Sequence, residues 1–236
     1  FCFVGSNVVL KPGVILKNNV TVVGDTIVGD ETTIFPFATV GEIPQDLKFS
    51  GEETRLVIGK RNQIREGVTI NTGTSGGGGV TVVGNDCLLM TGSHVAHDAQ
   101  IGNNVIMANQ SAVAGHCIIE DNVIIGGLSG VHQFVRIGRG AIIGAVTMVT
   151  NDVIPYGLVQ ASRGELEGLN YVGLKRAGVS REDILALRAG YQILKQGGGT
   201  FHDRAKKLLE ETNSIYVKEV ADFILGSTDR SFLVPG

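Results

Sequence analysis

The residues best suited to acid–base chemistry fall in one short stretch of the chain. Four of its five histidines are His94, His97, His116 and His132, and Asp98 follows His97 directly. An imidazole titrates near neutral pH, and an adjacent carboxylate can hold its ring in one orientation. The set therefore predicts proton transfer by His97, with Asp98 as its partner.

Metal chemistry is the alternative use of such residues, because three imidazoles can form an open catalytic zinc site. We expect no metal site here, although the residue types leave zinc as an alternative. The three cysteines, Cys2, Cys87 and Cys117, are odd in number and have no CxxC spacing. They are expected to be reduced thiols, since neither a disulfide framework nor a cysteine zinc site fits that pattern.

A six-residue repeat determines where these side chains lie. Aliphatic residues recur at every sixth position from Val4 to Val40, resume at Ile58 and, after a shift of one position, run from Val83 to Val149. A small residue stands four places after each aliphatic residue of the last run. Helices repeat at about 3.6 residues and strands at 2, so a period of six predicts a triangular coil of short strands, with about eighteen residues per coil.

The coil explains how distant residues can meet. Gly115 occupies the place of His97 one coil later, and Gln133 occupies it one coil further on. Residues at the same place in successive coils are about one strand spacing apart. We therefore expect His97, Gly115, its neighbour His116, and Gln133 at one corner of the prism.

The sequence divides into an all-β parallel β-helix over residues 1–154 and a connector with a small α-helical domain over 155–236. Two insertions interrupt the coils, at 41–57 and 71–82, and solenoid insertions are often on the binding face. The first contains Gln45, Asp46 and Lys48. The glycine run at 76–79 in the second predicts a flexible turn, because it lacks the GK[ST] ending of a phosphate-binding loop.

Helix signals appear only after the hexads stop at Pro155. Ser180 stands three residues before Asp183, as in a capping box, and Ile184, Leu187, Tyr191 and Leu194 follow at helical spacing. Two further helices are predicted over 201–211 and 215–225.

Composition excludes several classes of protein. The chain has 236 residues, of which 43% are hydrophobic, and a formal net charge of −3. This balance gives no basic signature for nucleic acid. No apolar run approaches the ~20 residues that a membrane span needs, and no signal peptide is recognisable. A cytoplasmic protein is expected.

Several segments together resemble one enzyme family. They are Ile43–Phe49, Ile64–Glu66, Val95–Asp98, Val113–His116, Val131–Phe134 and Gly168–Arg176. Their order is similar to that of the UDP-N-acetylglucosamine O-acyltransferases, which begin lipid A synthesis, and the resemblance covers essentially the whole chain. It implies a left-handed β-helix and a homotrimer with active sites between neighbouring prisms.

The resemblance also implies the reaction. A histidine matching His97 is the general base that activates the glucosamine 3-hydroxyl, and Asp98 matches the carboxylate that orients it. The backbone N–H of Gly115 matches the donor that stabilises the oxyanion. The donor substrate is an (R)-3-hydroxyacyl group on the phosphopantetheine of acyl carrier protein, and no further cofactor is expected.

Further residues match substrate-binding positions of the family. They are Gln45, Asp46, Lys48, His94, His116, His132, Gln133, Asn170 and Arg176. Basic residues near the C-terminus could help to dock the acidic carrier protein. They are Lys175, Lys195, Arg204, Lys206 and Lys207.

The chain departs from the family pattern at a few positions. Val172 and Ala177 stand where many relatives carry a glutamate and an arginine, and Asn71 and Thr72 replace an expected histidine–arginine pair. Ala145 occupies the position of a glycine at the end of the acyl groove, so we expect an acyl group shorter than about fourteen carbons. The resemblance also implies one to two coils before Phe1.

Three other readings stay open at the level of sequence. The sibling N-acyltransferase of the same pathway shares the prism and the carrier-protein donor but carries an additional N-terminal domain. A hexapeptide zinc carbonic anhydrase would use the histidines as metal ligands. A catalytically silent scaffold would have the coils alone. The sequence also leaves open whether the acceptor sugar carries a 3-hydroxyl or a 3-amino group.

Overall fold

The computed structural model describes residues 1–160, 164–226, 228 and 230–235. The N-terminal part of the chain forms a parallel β-helix whose short strands recur on three faces. Within the described residues the faces contain eight, seven and nine strands.

The strands of each face are as follows. The first sheet contains β1 Phe3–Val4, β4 Thr21–Val22, β7 Thr39–Glu42, β10 Thr69–Asn71, β13 His94–Val95, β16 Ala112–Val113, β19 Gly130–Val131 and β22 Met148–Val149. The second contains β2 Val8–Leu10, β5 Asp25–Val28, β8 Arg55–Ile58, β11 Val80–Val83, β14 Gln100–Ile101, β17 Ile118–Ile119 and β20 Arg136–Ile137. The third contains β3 Ile15–Leu16, β6 Thr33–Ile34, β9 Gln63–Ile64, β12 Leu88–Leu89, β15 Ile106–Met107, β18 Ile124–Ile125, β21 Ile142–Ile143, β23 Gly157–Gln160 and β24 Glu165–Leu169.

The coils stack in register, so that each hexad position lies on the same position one coil later. Val95 pairs with Val113, and Val113 pairs with Val131, all in parallel. Backbone N–H groups donate along the stack, as from His94 to the carbonyl oxygen of Ser111 at 2.9 Å. Because each strand is only a few residues long, it is stabilised by backbone hydrogen bonds to the coils on either side.

The inward side chains follow the predicted alternation of large and small residues. Met107 and Ile125 fill the interior with no exposed surface, and the small positions Ser111 and Cys117 are equally buried. Val4 is an exception, since 43% of its surface is exposed. Its strand β1 pairs only with β4, so no coil covers it on the other side.

The two insertions are shorter than the interrupted repeat suggested. In the first, pairing extends to Glu42 at the end of β7 and begins again at Arg55, which pairs with both Asp25 and Val80. The loop therefore covers 43–54 rather than 41–57. The second loop covers 72–79 rather than 71–82 and includes a short 3₁₀ turn, Ser75–Gly77.

The segment after Pro155 adds strands that the hexad pattern does not predict. Leu158 in β23 pairs in parallel with Ile142, and β24 then runs antiparallel to β23. An antiparallel strand alternates with a period of two and does not follow the coil period of six, so the repeat gives no signal for it.

Four helices follow within the described residues. They are α1 Tyr171–Arg176, α2 Arg181–Gln196, α3 Phe201–Glu211 and α4 Ile215–Leu225. The side-chain oxygen of Ser180 accepts from the backbone N–H of Asp183 at 3.0 Å, so it caps α2 as predicted. Short helix α1 is not signalled by the sequence pattern. None of the helices in this part of the chain is long and apolar enough to cross a membrane.

Burial of the hexad positions gives a first prediction. Ile125 has no exposed surface, whereas 44% of Ile118 is exposed one strand earlier. Ile125→Ala should lower the free energy of unfolding by about 2–5 kcal/mol, because it opens a cavity in the interior. Ile118→Ala is the control and should change it by about 0.5 kcal/mol or less. Urea unfolding measures both, and equal losses would contradict the assignment of the inward positions.

Candidate active site

A histidine–carboxylate pair lies in the turn after β13. The Nδ1 atom of His97 is 2.8 Å from Oδ2 of Asp98. The two residues are 5% and 4% exposed. An ionised carboxylate can only accept, so the proton on the neutral ring resides on Nδ1 and the lone pair on Nε2. His97 is thereby arranged as a base.

The second loop holds Asp98 in place. Thr74 donates its backbone N–H to Oδ1 at 2.9 Å and its hydroxyl to Oδ2 at 2.6 Å. The backbone N–H of Asp98 in turn donates to Oγ1 of Thr81 at 2.8 Å. Because a buried carboxylate needs hydrogen-bond donors, these contacts fix the group that orients the His97 ring.

The glycine run packs against this carboxylate. A Cβ atom on Gly77 would lie 2.1 Å from Cγ of Asp98, whereas one on Gly76 would meet nothing within 4 Å. The run forms a turn, as predicted, and at Gly77 this turn packs closely on Asp98. Gly77 is needed so that the loop can approach Asp98 closely enough for Thr74 to bind it.

The coil repeat places Gly115 against His97, as predicted. A Cβ on Gly115 would lie 2.5 Å from Cε1 and 2.7 Å from Nε2 of His97. The imidazole therefore rests directly on the backbone of the next coil. Any larger residue at 115 would occupy the space of the ring.

The backbone N–H of Gly115 is left without an acceptor among the described residues. At the neighbouring corner the equivalent N–H groups are capped by the next coil, since Asn85 donates to Oδ1 of Asn103 and Asn103 to Oδ1 of Asp121, at 2.9 and 2.6 Å. At the His97 corner the same place is occupied by Gly115 and Gln133, which provide no such short cap. A backbone N–H without an acceptor among the described residues therefore belongs to the glycine on which the His97 ring rests.

His116 lies next to the pair in the same corner. Its Nδ1 is 3.7 Å from Oδ2 of Asp98, and its ring centroid is 4.9 Å from that of His97. Phe134, one coil later, stacks parallel on it at 4.5 Å. Burial lowers the pKa of His116, although the Asp98 carboxylate opposes this.

The first-loop residues Asp46 and Lys48 also act on the pKa of His116, the former raising and the latter lowering it. Gln45 of the same loop lies near His97 and Gly115, since all three line one groove. Burial likewise lowers the pKa of His94, and His97 adds to the effect. The Nδ1 atom of His94 is hydrogen-bonded to Oγ1 of Thr69 at 2.7 Å. His94 and His116 are thus favoured in their neutral forms.

A groove of about 350 Å³ opens beside the pair and runs over the outer face of the first sheet. Its floor follows one column of paired residues, from His94 through Ala112 and Gly130 to Met148. The side chain of Met148 lies over Gly130, with Sδ and Cε 3.4 Å from where a Cβ would be. The remaining lining residues are Gln45, Ala96, His97, Ala114, Gly115, Val131, His132 and Gln133.

Asn170 and Arg176 are not in this groove. They line a separate cleft of about 520 Å³ between the coils and α1. The side chain of Asn170 caps α1 by accepting from the N–H of Gly173 at 2.9 Å, and it donates to the carbonyl of Gly140 at 3.1 Å. Ala145 is exposed at the opposite corner of the first sheet, just before β22. Most of the predicted site residues therefore lie around His97. Asn170 and Arg176 lie in a second cleft, and Ala145 lies at another corner of the prism.

His97, Asp98 and His116 also have a spacing that could hold a metal ion, since their ligand atoms lie within 4.8 Å of one another. Oδ2 of Asp98 already accepts from His97 and from the hydroxyl of Thr74. A metal ion would have to replace the hydrogen bond that orients His97. The arrangement therefore fits a proton-transfer pair better than a set of metal ligands.

Comparison with known proteins identifies the family. The profile described as "Udp N-acetylglucosamine O-acyltransferase; Domain 2" matches residues 152–233, and that of the bacterial transferase hexapeptide (six repeats) matches 80–115. The acyl-(acyl-carrier-protein)–UDP-N-acetylglucosamine O-acyltransferase of Paracoccus denitrificans is 65% identical over 202 residues, which are 86% of this chain and 77% of that protein. The chain belongs to the UDP-N-acetylglucosamine O-acyltransferase family.

Other members of the family agree. The enzyme of the same name from Rhizobium rhizogenes is 48% identical over the whole chain and 87% of its own length. A crystal structure of a UDP-N-acetylglucosamine acyltransferase superposes with a TM-score of 0.96 at 43% identity, covering 100% of this chain and 91% of the other. The Francisella novicida enzyme gives 0.93 at 33% identity, over 99% of this chain and 86% of its own. The expected left-handed parallel β-helix with a helical C-terminal domain is confirmed.

Several residues that shape the site were not found from the sequence. Thr74, Gly77 and Thr81 hold Asp98, Phe134 stacks on His116, and Met148 ends the groove floor. Phe134 could have been found, because it stands one coil after His116. The loop residues Thr74 and Gly77 had no such signal, since they lie outside the repeat, whereas Thr81 lies in strand β11.

Close packing of the loop on Asp98 gives a second prediction. Gly77→Ala should lower the free energy of unfolding by about 1–3 kcal/mol, because the added methyl overlaps the carboxyl group. Gly76→Ala is the matched control one residue away and should be nearly neutral. Thermal or urea unfolding compares the two variants, and a neutral Gly77→Ala would show that the loop does not pack on Asp98.

Proposed function

We propose that the chain transfers an (R)-3-hydroxyacyl group from acyl carrier protein to the glucosamine 3-hydroxyl of UDP-N-acetylglucosamine, the first step of lipid A synthesis. The relatives' names supply the substrates. The observation that carries the proposal is the His97 ring resting on the backbone of Gly115, whose N–H has no acceptor among the described residues, beside a groove that both residues line. A base and an oxyanion donor are thus adjacent where acyl transfer needs them.

The reaction uses His97 twice. Nε2 takes the proton of the 3-hydroxyl as the oxygen attacks the thioester carbonyl carbon. Collapse of the tetrahedral intermediate breaks the carbon–sulfur bond, and the leaving thiolate takes the proton back from the imidazolium. The products are the ester and the free thiol of the carrier protein. Asp98 remains ionised throughout and stabilises the transient imidazolium.

The negative charge that develops on the thioester carbonyl oxygen needs a hydrogen-bond donor. The N–H of Gly115 has no competing acceptor among the described residues and is available as a donor. One oxyanion donor contributes about 2.7–4 kcal/mol to catalysis. Because this donor is a backbone group, it is preorganised by the coil stack and no side chain has to move.

Substrate recognition is assigned to the residues around the two clefts. Gln45, His94, His132 and Gln133 line the groove, His116 lies beside His97 at the same corner, and Asp46 and Lys48 belong to the loop that contains Gln45. Asn170 and Arg176 line the other cleft, where a guanidinium suits a phosphate. The two clefts share no lining residue in the described chain. A homotrimer, in which a second copy brings the two sets together, is therefore part of the proposal.

The carrier protein brings the acyl group on its phosphopantetheine, and the proposal includes no other cofactor. Basic residues of the helical domain are assigned to its docking: Lys175, Lys195, Arg204, Lys206 and Lys207. Arg204 is partly engaged within the chain, as Nη1 donates to the carbonyl of Gly197 at 3.0 Å. A cytoplasmic location belongs to the same proposal and is compatible with the free thiols of Cys87 and Cys117.

The role of His97 gives the third prediction. His97→Ala should reduce kcat for transfer to UDP-N-acetylglucosamine by about 10²–10⁴-fold, because general-base catalysis is lost. His202→Ala removes the exposed histidine of α3 and should retain wild-type turnover. Product formation is measured with 3-hydroxyacyl carrier protein, and the 3-amino analogue of the acceptor is assayed in parallel.

The control outcomes separate the alternatives. Near-normal turnover of His97→Ala would exclude the general-base role. A strong preference for the 3-amino acceptor would change the product from an ester to an amide while keeping the same base. No transfer by the wild-type chain to either acceptor would refute the proposed function itself.

Acyl-chain length gives the fourth prediction. The wild-type chain should prefer acyl groups shorter than about fourteen carbons, because Met148 lies on the floor of the groove and Ala145 stands where the family resemblance expects a glycine at the end of the acyl groove. Ala145→Gly and Met148→Ala should each move the preference toward longer chains. A series of 3-hydroxyacyl carrier proteins measures kcat/KM, and a wild-type preference for fourteen carbons or more would contradict the assignment.

A further inference from the structure

The C-terminal tail is anchored on the β-helix by a buried carboxylate. Asp152 has no exposed surface and accepts from Nε of Arg136 at 2.8 Å and from the hydroxyl of Thr228 at 2.6 Å. Its backbone N–H donates to the carbonyl of Ser231 at 3.0 Å. The tail is therefore held at a fixed height on the prism, next to the turn that contains His132.

Arg230 extends from this tail to the rim of the groove. One of its nitrogens, Nη2, lies 3.0 Å from Nδ1 of His132 and 2.9 Å from the carbonyl oxygen of Gln133. A guanidinium can only donate hydrogen bonds. The Nδ1 atom of His132 must therefore present its lone pair to Arg230, and the proton of the neutral ring must reside on Nε2.

The opposite tautomer has a partner of its own in the same turn. Nδ1 of His132 is 3.3 Å from the carbonyl oxygen of Gln133, so an Nδ1–H could donate to it. Arg230 opposes this option because it supplies a donor to Nδ1, so that an Nδ1–H would face a guanidinium N–H. The choice between the two tautomers thus depends on Arg230.

We propose that Arg230 is a positioning residue that holds His132 as the Nε2–H tautomer. In this form His132 offers a hydrogen-bond donor to the groove that it lines together with His97 and Gly115. The matching ligand group is an oxygen acceptor, such as a carbonyl or phosphoryl oxygen of a substrate. This catalytic consequence rests on the proposed acyl transfer, whereas the tautomer itself does not.

The tautomer can be read directly from imidazole nitrogen shifts. Protein labelled with ¹⁵N-histidine is compared as wild type, Arg230→Met and Arg230→Lys, and His132→Gln identifies the resonances of His132. Wild type should have a protonated-type Nε2 and an unprotonated-type Nδ1. Arg230→Met should shift His132 toward the Nδ1–H form. Arg230→Lys should keep the wild-type pattern, because an ammonium group also only donates.

Unchanged resonances of His97 and His116 in Arg230→Met confirm that the corner remains folded. A wild-type His132 with the proton on Nδ1, or an Arg230→Met spectrum identical to wild type, would overturn the inference. Both readouts are independent of turnover, so they decide the inference even if the proposed transfer fails.

Kinetics test the consequence for the reaction. Arg230→Met should lose about tenfold in kcat/KM, since a donor to the substrate is replaced by an acceptor. Arg230→Lys should recover most of that loss. Arg188→Met, which removes an exposed arginine of α2, is the control and should remain at wild-type rates. Wild-type kcat/KM in Arg230→Met would refute a role of this tautomer in catalysis.

Discussion

The register of the stacked coils is the constraint on which the site depends. Every strand is too short to be stable alone, and its hydrogen bonds come from the coils on either side. A slip by one residue would exchange inward and outward side chains and separate His97 from Gly115. Buried inward residues in successive coils, such as Val113 and Cys117, fix that register. The contact between His97 and Gly115 therefore depends on the packing of the core.

The paired positions on either side of the insertions stay aligned, apart from a one-residue register shift between Ile70 and Asn71. Thr69 pairs with Thr39 before it and with His94 after it, although loops intervene on both sides. The second loop leaves the prism wall at one coil and returns over Asp98 at the next, where Thr74 binds the carboxylate. A regular coil without this loop would have no Thr74 to donate hydrogen bonds to Asp98. The loop thus supplies the donors that let an ionised group remain buried beside an imidazole.

The sequence was informative wherever a residue belongs to a repeat. The prism, its inward residues and the contact between His97 and Gly115 follow from a period of six, and helices α2 to α4 follow from their own periodicity and capping. Thr74, Gly77 and the strands β23 and β24 could not be predicted, because their positions depend on loops and pairings outside the repeat. Arg230 had no signal either. Its proximity to His132 arises only when Asp152 anchors the tail.

The residues proposed for catalysis and those proposed for nucleotide recognition lie in separate parts of the structure. The coil backbone fixes the positions of His97, Asp98 and Gly115. Few other side chains would fit at these three positions. Val172 and Ala177, which depart from the family pattern, are exposed residues of α1 and its end, next to the separate cleft. Their replacement alters neither the coil register nor the hydrogen bonds of Asp98. The positions of Val172 and Ala177 are therefore separate from the proposed base and oxyanion donor.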